Sequence, residues 1–170
     1  MTVTPQRPDP VAAADGAAIA LARRLLVEAT HAALAWTDPE TGTPGISRIA
    51  LALDPEGLPL ALVSALAPHT PALRAHPEAA LLVGEPGERG DPLTHPRLMI
   101  RVRAVFIPRG ADHDALRAHW LHLRPKAQVY VDLPDFAFVR LVPQSALLNG
   151  GFGRAFRLEP QDLTPQDLRP

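Results

Sequence analysis

The 170-residue chain has no cysteine. That excludes disulfides, thiolate metal sites and cysteine nucleophiles, and it fits a reducing compartment. No apolar run approaches the eighteen residues of a membrane helix, and the stretch from Met1 to Ala14 lacks the basic-then-apolar order of a signal peptide. Together these absences predict a soluble, cytoplasmic protein. The formal net charge is -1, so no basic excess exists to neutralise a phosphate backbone, and neither nucleic acid nor membrane is expected as a partner. Lysine is almost missing: Lys126 is the only one, and its replacement by arginine reads as coding bias in a GC-rich genome. Serine is scarce too. Ser47, Ser64 and Ser145 are all there is; none sits in a Gly-x-Ser-x-Gly elbow, so serine hydrolysis has no support. Gly151 and Gly153 follow the strands and lack the third glycine of a dinucleotide fingerprint.

What is present builds one domain. Hydrophobic residues make up 46% of the chain, enough for a real core. Residues 1–14 read as an irregular leader, with Pro5, Pro8 and Pro10 opposing regular structure. Asp15 is placed to cap a helix that runs to about Thr30, with Ala18, Leu21, Ala22, Leu25 and Ala29 along one stripe. Strands are expected over His31–Thr37, Ile46–Leu53 and Leu58–Ser64, joined by the turns 38–44 and 54–57 as a meander. A short helix follows over Pro68–Ala75, then a strand over Ala79–Val83, a loop over 84–96 and the longest strand, Arg97–Ile107. The spacing of Leu116, Trp120 and Leu123 predicts a helix over 111–123. Two last strands, Phe136–Val142 and Phe152–Leu158, precede a polar tail over 159–170. About seven short strands without βαβ alternation favour an antiparallel barrel over a parallel sheet, in a mainly β, α+β domain over 15–158.

Alternation along the second strand puts Ser47, Ile49, Leu51 and Leu53 on a core face and Ile46, Arg48, Ala50 and Ala52 on the other. An arginine among small side chains leaves room for a flat ligand beside a guanidinium, or it is an arginine on a solvated face. The long strand has the same contrast: Leu98, Ile100, Val102, Ala104 and Phe106 face inward, and Arg97, Met99, Arg101 and Arg103 face outward. Like charges so close need acidic partners or an anion among them.

The densest chemistry lies in Val63-Ser64-Ala65-Leu66-Ala67-Pro68-His69-Thr70-Pro71-Ala72-Leu73. A strand that ends in serine and feeds a helix start offers hydroxyls, an imidazole and free N–H groups in one volume, which suits a phosphate monoester. His113, His119 and His122 lie with Asp112 and Asp114 on one helix; His119 and His122, spaced i, i+3, could share a metal, but the histidines read better as lying on a wet helix face, and no metal is expected.

Taken in order, Ser47–Ala52, Asp54–Pro59, Ser64–Leu73, His76–Leu82, Gly90–Leu93 with Pro96–Leu98, Tyr130, Asp135-Phe136 and Gly150–Ala155 resemble the pyridoxamine 5'-phosphate oxidase-like superfamily. More narrowly, they resemble its FMN-binding split barrels related to bacterial heme-utilisation oxygenases. The resemblance spans roughly residues 17–158. It implies a six-stranded split β-barrel that dimerises with itself and holds one FMN at each subunit interface, in an oxidoreductase. By matching position it places Arg48 beside the flavin and gives the phosphate to Ser64, His69 and Thr70, with Arg97 as its charged partner. It implies no catalytic residue. The segment 159–170 lacks the Arg- and His-rich substrate signature of the true pyridoxamine phosphate oxidases, so that oxidation is not expected. The chain also stops before the extra domain of the full heme-utilisation proteins. The alternatives on the same barrel are heme binding and a flavin carrier or sensor without turnover.

Overall fold

The structure, a computed structural model, describes residues 11–151 and 153–164. Nine strands and four helices follow one another as β1 (Val11–Ala13), α1 (Gly16–Glu28), β2 (His31–Thr37), β3 (Pro44–Ala50), β4 (Ala52–Leu53), β5 (Pro59–Ser64), α2 (His69–Ala75), β6 (Glu78–Val83), β7 (Arg97–Phe106), α3 (Ala111–Leu123), β8 (Phe136–Asn149), β9 (Ala155–Leu158) and α4 (Pro160–Leu163). Asp15 caps α1 as expected, its carboxylate accepting from the Ala18 N–H at 2.7 Å.

Six long strands close a ring through antiparallel pairs: β2 with β3, β5 with β8, β8 with β7, β7 with β6 and β6 with β2. The remaining step runs through β4, which continues β3 after a break at Leu51 and pairs with β5. β8 explains the split. Its first residues, from Phe136 to Arg140, pair with β5, and its last, from Ala146 to Asn149, pair with β9 on the same edge. This is the split β-barrel that the order of motifs implied.

The barrel interior is apolar. Leu34, Leu81, Leu98, Ile100, Val102, Val139, Leu141 and Leu148 fill it, and Ala18, Ala22 and Leu26 of α1 plug one end. A second cluster under α3 joins Leu116 and Trp120 to Leu60, Leu62, Val131 and Phe138. Burying side chains of this size contributes about 1.5–3 kcal/mol each, which suffices to hold α3 on the barrel. At the β2–β3 hairpin, a Cβ on Gly45 would stand 2.3 Å from the Trp36 ring, so only glycine lets that indole lie flat and donate to Ser47 Oγ at 3.1 Å.

Several expectations need correction. Val11–Ala13 is a strand parallel to β9, so the irregular leader does not reach residue 14; residues 1–10 lie outside the described residues. The segment after 158 carries more than a polar tail: Glu159 and Asp162 form a capping box for α4, and Leu163 is buried in the core. The third strand of the expected meander pairs with β8 as well as β4. β8 runs to Asn149, twice the expected length, because a register shift at Arg101/Val102 leaves Gln144 between Ser145 and Pro143 and lets a proline sit inside a paired strand. The last strand begins at Ala155, and Phe152 lies outside the described residues. Finally, His113 is buried, packed edge-on against Phe138 at 5.3 Å between ring centroids, and is no member of a wet histidine face.

Candidate cofactor site

The elbow between β5 and α2 brings Ser64, His69 and Thr70 together. Thr70 is buried and donates through Oγ1 to the Ser64 carbonyl at 2.6 Å, which ties the start of the helix to the end of the strand. Ser64 Oγ accepts from the Leu66 N–H at 3.1 Å and donates to Asp135 Oδ2 at 2.6 Å. His69 is buried with an unpartnered Nδ1. That burial pushes the imidazole below its ordinary pKa, so His69 is neutral near pH 7 and can act there only as a neutral donor or acceptor. Both hydroxyl protons at the elbow are therefore committed, and one faces a carboxylate.

The second part of the site is the outer face of the sheet. Cross-strand register aligns Arg48, Ala33, Leu82, Met99, Leu147 and Arg157 in one row. A second row carries Ile46, Ala35, Ala80, Arg101 and Ser145. Alanine keeps the middle of this face flat, and Ile46 and Leu82 are 76% and 45% exposed. Five interstrand steps of about 4.8 Å separate Arg48 from Arg157, roughly 24 Å in all. Arg48 and Arg101 are exposed and make no hydrogen bond or ion pair among the described residues. Arg103, on the same strand face, is paired with Glu78.

Comparison with known proteins then decides the family. No family model matches the chain. The non-canonical heme oxygenase HOZ of Arabidopsis thaliana, a chloroplastic protein, is 35% identical over 116 residues, covering 68% of this chain. The chain spans 34% of that relative's length. A heme-binding protein from Mycobacterium smegmatis superposes with a TM-score of 0.78 at 28% identity, over 88% of this chain and 61% of its own. A pyridoxinephosphate oxidase family protein from Clostridium acetobutylicum shares the fold alone, with a TM-score of 0.67 at 11% identity over 88% of this chain and 99% of its own. The chain belongs to the pyridoxamine 5'-phosphate oxidase-like superfamily, in the branch related to heme utilisation.

Within this superfamily member, three of the five residues singled out from sequence come together, and a fourth lies on a strand that their helix contacts. Ser64, His69 and Thr70 share the elbow, and α2 packs against β2 and β3, the strand of Arg48. Arg97 is not brought there. It pairs with Asn149 at one end of β8, and Ser64 pairs with Phe136 at the other. Thirteen residue-to-residue steps of strand, about 40 Å along the chain, separate those ends. The Arg97 guanidinium instead donates to the Leu93 carbonyl at 3.1 Å and contacts the His95 carbonyl at 3.5 Å. Sequence reasoning missed Asp135 as the partner of Ser64, since 71 residues separate them. It also missed Arg124, which donates to the carbonyls of Thr30 and Leu51 and straps α3 to the barrel. No helix is long and apolar enough to cross a membrane, and no group of three metal-ligating side chains occurs, both among the described residues.

Proposed function

We propose that this chain is an FMN-binding oxidoreductase whose cofactor lies between two copies of the subunit, on the outer sheet face. The observation that carries the reading is the sheet face centred on Ala33, Ala35 and Ala80, with an unpaired Arg48 at its edge. A flat ring system gains from the apolar centre, and an anionic tail gains from guanidinium donors at the rim. FMN, when bound, supplies a ring that takes up and returns electrons. The chain's own part is to hold and orient it: Arg48 beside the ring, and the phosphate at the elbow of Ser64, His69 and Thr70. Ser64 Oγ–H reaches that phosphate by turning away from Asp135, a rotation about one bond, and His69 can donate from its unpartnered Nδ1, while the Thr70 hydroxyl stays on the Ser64 carbonyl and fixes the elbow's shape. Arg97 would take part only from the opposite subunit. Ile46 and Leu82, exposed on this face, are what a second copy would cover.

Heme is the second reading, favoured by the names of the Arabidopsis and mycobacterial relatives. The same face would then meet a porphyrin, with arginines at its carboxylates. One experiment separates them: denature the purified protein and identify the released chromophore. Flavin, followed by reduction with NADPH and reoxidation in air, supports the oxidoreductase. Flavin that does not turn over leaves a carrier. A Soret band with one heme per chain, and no flavin retained after reconstitution, overturns the first reading.

A further inference from the structure

A cleft of about 370 Å³ opens between α2, the end of β7 and the start of α3. It shares no residue with the two rows of the outer face, and Phe136 in its lining pairs with Ser64 of the elbow. Its cationic groups are Arg74, in the last turn of α2, and Arg109, in the turn that leads into α3. Neither makes a hydrogen bond or ion pair among the described residues. Arg74 lies 3.9 Å above the Phe106 ring, which fixes its plane and leaves its N–H edge unspent. His113 also lines the cleft. It is 3% exposed; its Nδ1 stands 3.3 Å from Asp114 Oδ1, and its Nε2 has no hydrogen-bond partner among the described residues. No carboxylate lines the cleft. The nearby Asp132 is held by Arg117 through two bonds of 2.6 Å, and Arg109 reaches it only through space, without a hydrogen bond. Phe106, Phe136 and Pro134 supply apolar wall.

We propose that this cleft binds a compact organic oxyanion, a phosphate or carboxylate whose charged group meets Arg74 and Arg109 and whose apolar body rests on the Phe136 wall. Two exposed guanidiniums without a hydrogen-bonded carboxylate open on one cleft, and its apolar wall gives an anion a seat.

The test is calorimetric titration of the full chain with phenyl phosphate and with benzoate, using phenol as the uncharged control. At least one of the two anions binds one per chain, and phenol does not. Arg74→Gln and Arg109→Gln each weaken that binding by at least about fivefold, the loss expected for one charge-assisted contact. Both arginines are exposed, so circular dichroism of the variants should match the parent. Arg48→Ala leaves the titration unchanged, which keeps this site distinct from the cofactor face. A smaller loss in either glutamine variant, binding that disappears with Arg48→Ala, equal binding of phenol, or no binding of either anion at millimolar concentration would overturn the proposal.

Discussion

Replacing Asp54 with alanine should cost more stability than any other single change at the β4–β5 turn. The Asp54 carboxylate is fully buried. Its Oδ1 accepts from the backbone N–H groups of Glu56 and Leu58, both at 2.9 Å, and its Oδ2 accepts from Arg140 Nε at 2.7 Å. Removing one partner of a buried, hydrogen-bonded ion pair costs about 3–5 kcal/mol. Arg140 keeps weaker contacts to Asp112 at 3.2 and 3.3 Å, which argues for the lower part of that range, about 3–4 kcal/mol. For a chain of this length each kcal/mol moves the melting temperature by about 2–4 °C, so the expected drop is roughly 6–16 °C. Asp112→Ala removes only the exposed partner and should cost under about 1 kcal/mol. Urea unfolding followed by circular dichroism reads both. The site should feel the first change as well, because Arg140 stands opposite Leu60 on β8 and the pair clamps β5, the strand that ends at Ser64. If Asp54→Ala unfolds within about 1 kcal/mol of the parent, the turn is not held by this carboxylate and the reasoning fails.

Other expectations are as direct. Arg48→Ala should lower cofactor retention about tenfold, and Arg103→Ala should leave it near the parent value because Glu78 already satisfies that charge; equilibrium dialysis compares them. Asp135→Asn removes a negative charge from the elbow and should tighten FMN binding, so weaker binding would count against a phosphate at Ser64. His69 should make stability depend on pH. Burial holds its folded pKa below the ordinary value of about 6.5, so the unfolded chain takes up a proton that the folded chain refuses. Stability is then full above pH 6.5 and falls as the pH drops below it; His69→Asn should flatten that slope in urea titrations at stepped pH. Light scattering should give twice the 18.3 kDa chain mass, and Leu82→Asp, a charge placed on the exposed sheet face, should halve it.

Local signals in the sequence were enough for α1, β2 and α3. Asp15 before an apolar stripe marks the first helix, and β2 and α3 begin and end at the residues that periodicity indicated. What sequence could not reveal depends on distant partners. Val11–Ala13 is too short to read as a strand until β9 lies beside it. Pro143 reads as a strand end, and only the bulge opposite Arg101 makes it tolerable. His113 did carry a signal: it precedes Leu116 and Trp120 by three and seven positions, the spacing of one buried helix face, and its polarity hid that. At the site, Ser64 and Thr70 are neighbours along the chain and were read together. Asp135 and the remoteness of Arg97 emerge only from the pairing of β8 with β5 at one end and β7 at the other.

The parallel pairing of β1 with β9 has a consequence for synthesis. Val11 meets Ala155, so β1 leaves a ribosome long before the strand it bonds and must wait for it. At about 5–20 residues per second that wait is on the order of ten seconds. Throughout it, three residues of extended backbone offer their amide groups to any passing edge. The barrel can close without them. β1 is therefore a late seal, and slow translation or a stall before residue 155 would leave the barrel with this one ladder still open.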